Sequence, residues 1–176
     1  MAQKGLFLDR DGIVNIDKSY LYKAEDFIFI DSIFDICKHF LARDYLIFII
    51  TNQSGIARGY YSEDDLSRLH SWMLKEFESR GVTITDINYC PHHHKEGIGR
   101  YKIDCDCRKP KSGMIDKLVE RYDIDRSNSI LIGDKLSDIK AGKNGGIATN
   151  ILIKSQYQDR YDYESLEELA DSLNAK

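Results

Sequence analysis

Two aspartates two residues apart, Asp9 and Asp11, follow the short apolar run Gly5-Leu6-Phe7-Leu8. At the end of a strand such a pair can point into one cleft around a cation. Mg²⁺ favours one or two carboxylates completed by water and phosphate oxygens. Thr51 and Asn52 follow a second apolar run and offer a hydroxyl and an amide to phosphate oxygens. Arg108, Lys109 and Lys111 place three cations in one short segment, and Gly133-Asp134-Lys135 with Asp138 adds carboxylates. Each cluster alone also reads as a solvated turn or a basic surface loop. Their order and placement give them weight.

A fifth cluster has a different chemistry. Cys90-x-His92 and Cys105-x-Cys107 frame a loop that also holds His93 and His94. Structural zinc takes four thiolate or imidazole ligands in a tetrahedron. Two close pairs separated by a loop supply them, and three cysteines on a hydrophilic segment fit poorly as core residues. The matching i, i+2 spacing favours His92 as the fourth ligand, with His94 as the alternative. Four protein ligands leave no open position, so the role is structural. Cys37 differs, since it falls on an apolar helix face and reads as a packed thiol.

The elements that must position these residues alternate. Strands are expected at Gly5–Leu8, Tyr45–Ile50, Val82–Tyr89, Ser129–Ile132 and Ile147–Ile153. Helical periodicity marks Ser32–Arg43, a helix opened by Ser62 with Asp65 three residues on, Met114–Tyr122 and Ser165–Leu173. Strands alternating with helices imply parallel pairing through right-handed crossovers, hence a doubly wound, Rossmann-like α/β sheet. Such sheets bind ligands at the carboxyl ends of their strands. Asp9 and Asp11, Thr51 and Asn52, and Asp134 all follow strands directly. Residues 89–110 break the periodicity and form a loop long enough to need something to hold it.

Composition narrows the function classes. The chain has 176 residues, 42% apolar and 31% charged, which suits one globular domain over 1–176. Its 25 basic and 29 acidic side chains leave a formal charge of −4, against nonspecific nucleic-acid binding. The apolar run before Asp9 is too short for a secretory signal, and six residues, Tyr45–Ile50, make the longest such run. A cytoplasmic monomer that does not enter membranes is the expectation.

Taken together, Asp-Arg-Asp-Gly at 9–12, Thr-Asn-Gln at 51–53, Lys109, and Gly-Asp-Lys at 133–135 with Asp138 resemble the haloacid dehalogenase superfamily of aspartate-nucleophile phosphatases. Residues 51–60, Cys-Pro-His at 90–92 and the segment 105–113 sharpen the resemblance to its heptose-bisphosphate phosphatase family, over about residues 5–153. Ser112 departs from it, where the family usually has proline. The resemblance implies release of the 7-phosphate of a phosphorylated sugar, D-glycero-D-manno-heptose 1,7-bisphosphate, in lipopolysaccharide core biosynthesis. It implies Asp9 as nucleophile and Asp11 as general acid and base, the latter with a raised pKa. Mg²⁺ would be held by Asp9, the Asp11 carbonyl and Asp134. Thr51, Asn52 and Lys109 would bind the transferring phosphoryl group, and Asp138 would orient Lys135 or a metal-bound water. The intervals between the motifs are filled by the elements above, so no lid domain is expected. The metal loop would then present Arg108, and with it Arg58, to a second phosphate. Histidinol-phosphate phosphatase, a polynucleotide 3′-phosphatase and a zinc-stabilised binding module without catalysis are the competing readings.

Overall fold

The computed structural model describes residues 2–175. One five-stranded parallel sheet, in the order β3-β2-β1-β4-β5, forms its centre. The strands are β1 (Lys4–Leu8), β2 (Tyr45–Asn52), β3 (Asp86–Cys90), β4 (Ile130–Gly133) and β5 (Thr149–Leu152). Six helices connect or cover them: α1 (Ser32–Leu41), α2 (Ser54–Ala57), α3 (Glu63–Ser79), α4 (Gly113–Tyr122), α5 (Leu136–Asn144) and α6 (Leu166–Asn174).

The period-2 alternation of strand side chains decides which face each residue supports. Leu6, Leu8, Ile47, Ile49 and Ile132 pack with α1, α3 and α6. Phe7, Phe48, Ile50 and Leu131 pack with α4 and Ala141 of α5 on the other face. Register pairs Phe7 with Phe48 and Leu8 with Ile49, and the two phenylalanines stack at 5.2 Å. A sheet covered on both faces is what near-continuous apolar strands require. Since all strands run the same way, Asp9, Asn52, Cys90 and Asp134 reach one edge of the sheet. Central β1 sets Asp9 between the ends of β2 and β4.

The capping box at Ser62 forms, with Asp65 N–H donating to Ser62 Oγ and Ser62 N–H returning to Asp65 Oδ2. Two expectations change, and the four-residue α2 is a further helix that no apolar periodicity marks. The third strand begins at Asp86, not Val82, because Thr85 ends the ladder early: its Oγ1 accepts the Ile47 N–H at 3.1 Å in place of a backbone carbonyl. Helix α5, which supplies the crossover between β4 and β5, was not expected. Its buried face is Asp138, Ala141 and Gly142, too small and polar to show apolar periodicity. No lid domain interrupts the described residues. No helix among them is long and apolar enough to cross a membrane.

Candidate active site

Asp9 leaves β1 with its amide on the Ile132 carbonyl, so its side chain stands at the sheet edge while its backbone still belongs to the ladder. Lys109 arrives from the segment before α4 and inserts its ammonium between Asp9 Oδ1 (2.8 Å), Asp138 Oδ1 (2.7 Å) and the Ile50 carbonyl (3.0 Å). All three ionised side chains are buried. Burial works against the charged ammonium. Asp138 and Asp9 outweigh it and hold the ammonium more firmly than in an ordinary lysine.

Asp138 serves differently from what the resemblance implies. Its Oδ2 accepts the amides of Asp134 and Lys135 at the start of α5, and its Oδ1 is taken by Lys109. The Lys135 ammonium instead lies 3.5 Å from Asp17. With Asp138 filled, Asp9 and Asp134 remain as the carboxylates able to receive a cation. Asp134 Oδ1 is buried with no hydrogen-bond partner. Carboxylate oxygens of Asp9, Asp134 and Asp138 all lie within 4.8 Å of one another. Burial, then Asp9 and Asp138, push the Asp134 carboxyl up to about 8. Burial and Asp138 raise Asp9 to about 6 against the pull of Lys109. Crowded acids that resist ionisation fit a site completed by a divalent cation, and the hard oxygen donors fit Mg²⁺. Gly12, at φ +95°, permits the close approach: a Cβ there would fall 2.2 Å from Asp134 Oδ2.

Asp11 is held by three donors. Arg10 Nη2 reaches Oδ1 and Oδ2 at 3.0 and 3.2 Å, Asn15 Nδ2 reaches Oδ1 at 3.0 Å, and Gln53 Nε2 reaches Oδ2 at 3.2 Å. Burial works to raise its pKa, but Arg10 and the Asn15 bond outweigh it and keep the carboxyl below the usual carboxylate range. The expected upward shift is therefore absent, and the adjacent guanidinium is the reason. Arg10 itself is fully buried and also bonds the Leu21 carbonyl and His70 Nε2. A guanidinium only donates, so His70 Nε2 is the acceptor and the ring is neutral. Burial, then Arg10, depress the His70 pKa to about 3.

At the end of β2, Thr51 Oγ1 accepts a Gln53 N–H at 2.8 Å, which leaves the hydroxyl proton free for an incoming oxygen. Tyr61 donates its hydroxyl to Gln53 Oε1 and so fixes which end of that amide faces Asp11. Gly55 makes room for the Tyr61 ring, since a Cβ would lie 2.2 Å from Cε1. Asn52 exchanges hydrogen bonds with the Lys109 backbone, accepting at Oδ1 (3.0 Å) and donating from Nδ2 (3.2 Å). Its amide stitches the Lys109 segment to β2, a task beyond the phosphate contact expected of it.

Asp9 lines a recess of about 40 Å³. Asp11, Asn52, Lys109, Lys135 and Ser137 join that recess to a cavity of about 360 Å³ whose lining includes Tyr20, Arg108 and Tyr157. Arg108 Nη1 is buried without a partner. Arg58 is not in that lining; it lies 3.7 Å from Glu96 and over the Tyr20 ring.

The metal loop starts where β3 ends. Cys90 Sγ lies 3.5 Å from Cys105 Sγ and 2.8 Å from Cys107 Sγ, and His92 Nδ1 lies 3.3 Å from Cys107 Sγ. All four donor atoms fall within 4.8 Å of one another, and none of the cysteines is in a disulfide. The bond from Cys90 leads, with help from His92, in pulling Cys107 down to about 5. This soft, convergent donor set fits zinc. His94 is outside it: it stacks on His93 and borders Arg108. Cys37, on the buried face of α1, lies in the core, where burial pushes its thiol up to about 12.

Sequence reasoning did not identify Arg10, Asn15, Gln53, Tyr61, His70 or Tyr157 as site residues. The available signals were an arginine set between two aspartates directly after a buried strand, and the place of Gln53 in the Thr-Asn-Gln run at 51–53.

The HAD-hydrolase-like family matches residues 106–174. A curated D-glycero-alpha-D-manno-heptose-1,7-bisphosphate 7-phosphatase of Campylobacter jejuni is 51% identical over 99% of this chain and 96% of its own. A D-glycero-beta-D-manno-heptose-1,7-bisphosphate 7-phosphatase of Haemophilus influenzae is 45% identical over 86% and 82%. The crystal structure of D,D-heptose 1,7-bisphosphate phosphatase from B. bronchiseptica, complexed with magnesium and phosphate, superposes with a TM-score of 0.80 at 28% identity, covering 98% of each chain. By these likenesses the chain belongs to the D-glycero-manno-heptose-1,7-bisphosphate 7-phosphatase family, within the haloacid dehalogenase superfamily.

Proposed function

We propose that the chain removes the 7-phosphate of D-glycero-D-manno-heptose 1,7-bisphosphate, with Asp9 as nucleophile. The observation that carries the reading is the buried Asp9 carboxylate in a small recess, in contact with Lys109 and opening into a larger cavity beside the unpartnered Arg108. The family's substrate has two phosphates, and the site has one place for a phosphoryl group to react and one cation free to hold another.

In this reading the Asp9 carboxylate attacks phosphorus in line. The bond from phosphorus to the sugar oxygen breaks, its electron pair leaves with that oxygen, and Asp11 supplies the proton. Asp11 is ionised beside Arg10, so it takes that proton from solvent as the phosphate dianion arrives and raises its pKa. The resulting carboxylate then takes a proton from the water that attacks the phosphorylated Asp9 and frees it. Thr51 and Lys109 hold the phosphoryl oxygens, with Asn52 keeping Lys109 in place. Mg²⁺, held by Asp9, the Asp11 carbonyl and Asp134, would offset the repulsion between the Asp9 carboxylate and the phosphate dianion.

Zinc on Cys90, His92, Cys105 and Cys107 would fix the loop at about 90–107 so that the adjoining Arg108 meets the distal phosphate through its planar fork. Arg58 would join it only by leaving Glu96. One domain over 1–176, working as a cytoplasmic monomer without a lid, suffices for this chemistry. The test is kcat/KM for the α and β anomers of the bisphosphate beside histidinol phosphate, with Mg²⁺ supplied. A heptose bisphosphate should be preferred by at least roughly ten-fold, about 1.4 kcal/mol in transition-state binding. Preference for histidinol phosphate would overturn the substrate assignment, and Arg108→Ala with unchanged KM for the bisphosphate would overturn the role of Arg108.

A further inference from the structure

Past β5 the chain turns back over the acidic site. Ser155 and Gln158 close a tight turn by bridging to each other, and both fasten it to the Asp134 carbonyl, Ser155 Oγ at 2.6 Å and Gln158 Nε2 at 2.9 Å. The turn carries Tyr157 into the lining of the larger cavity. The ring is about half exposed, yet it is held at two points. Its hydroxyl donates to Asp17 Oδ2 at 3.0 Å, and the Lys135 ammonium sits 4.6 Å from its centroid.

We propose that Tyr157 is a specificity-determining residue, forming with Asp17 the part of the cavity wall that receives the hydroxyl-bearing carbon skeleton of the substrate. The inference rests on the phosphatase reading of the cavity and assigns the remainder of its lining. Asp17 accepts the Ser19 N–H at Oδ1 and the Tyr157 hydroxyl at Oδ2, and each oxygen keeps a second lone pair, which suits sugar hydroxyls and repels a phosphate dianion. An aromatic face offers apolar surface to the C–H face of a sugar, with little conformational entropy to lose. The Lys135 ammonium is shared between Asp17 and the ring. The distal phosphate is thereby left to Arg108.

The experiment compares the full chain with Tyr157→Phe and Tyr157→Ala on a panel: heptose bisphosphate, fructose 1,6-bisphosphate, histidinol phosphate, and acetyl phosphate, which has no carbon chain bearing hydroxyls. Tyr157→Ala should raise KM for the preferred sugar phosphate about ten-fold with kcat within about two-fold, the scale of one aromatic contact and its hydrogen bond. Tyr157→Phe, which keeps the ring, should cost about three-fold, and acetyl phosphate should change no more than about two-fold for either variant. An equal loss on acetyl phosphate would overturn the proposal, since the turn would then act only by supporting Asp134. Unchanged KM across the panel would overturn it as well. The wild-type chain separates the two claims. If it cleaves other sugar phosphates and not the heptose, the substrate reading fails, and Tyr157 is still judged by the ratio of those sugar phosphates to acetyl phosphate.

Discussion

Asp11 is positioned through Gln53 and Tyr61 as well as by its direct neighbours. Tyr61 bonds Gln53 Oε1, and Gln53 Nε2 bonds both Asp11 and Thr51. Without the tyrosine hydroxyl the Gln53 amide is free to turn, and its oxygen would then face a carboxylate. Tyr61→Phe should therefore lower kcat about ten-fold, some 1.4 kcal/mol, with KM changed less than about two-fold. Steady-state kinetics on the bisphosphate would check it, and a loss carried entirely by KM would count against the positioning role. Arg10 adds to the same restraint from the other side. Its burial in full, beside a neutral His70, is tolerable because Nη2 bonds Asp11 and the Leu21 carbonyl and Nη1 bonds His70, although Nε has no partner.

At the scale of elements, the metal loop and the sheet share a boundary. Cys90 is the last residue of β3, and Arg108 and Lys109 follow Cys107 directly. Breaking the cluster should therefore be felt in substrate binding as well as stability. If the cluster holds the proposed zinc, Cys107→Ser is expected to lower the zinc content found by metal analysis of the purified protein and to raise KM for the bisphosphate about ten-fold. A loss of about 2 kcal/mol, modest for a structural zinc site, corresponds to a fall in Tm of roughly 4–8 °C in a chain of this size. Unaltered KM with a lowered Tm would confine the loop to a structural task. This region was largely legible beforehand, because thiol and imidazole spacing is local and few other chemistries use it. So were the strand ends carrying Asp9, Thr51 and Asp134, which local apolar runs announce. Helix α5 was not, since its inner face of Asp138, Ala141 and Gly142 has no apolar stripe. The late start of β3 was hidden too, because it turns on one Thr85 hydroxyl paired across the sheet. Tyr157 was out of reach for a plainer reason: its partner Asp17 lies 140 residues away in the chain.

For the whole molecule, buried ionisable groups tie stability to pH. His70 is neutral in the fold, with a pKa depressed from 6.5 to about 3 by burial and Arg10. The unfolded chain binds a proton there that the folded chain refuses. Stability therefore falls as pH drops from about 6.5 toward 3, by up to about 1.4 kcal/mol per pH unit from this residue, and is independent of it above that window. His70→Gln should flatten that part of the profile in urea unfolding measured from pH 7 to pH 4. An unchanged slope would mean that His70 is protonated in the fold. The molecule's net charge of −4 conceals an arrangement of both signs at one sheet edge, with crowded carboxylates on Asp9, Asp134 and Asp138 and cations on Lys109 and Arg108. Hydrolysis of a sugar bisphosphate needs both. The most direct test follows the two phosphorus resonances of heptose 1,7-bisphosphate by ³¹P NMR with Mg²⁺ present, for the wild-type chain and Asp9→Asn. The prediction is loss of the 7-phosphate signal with the 1-phosphate retained, and at least about a 10³-fold slower loss with Asp9→Asn. Release of the 1-phosphate first, or turnover that survives Asp9→Asn, would contradict it.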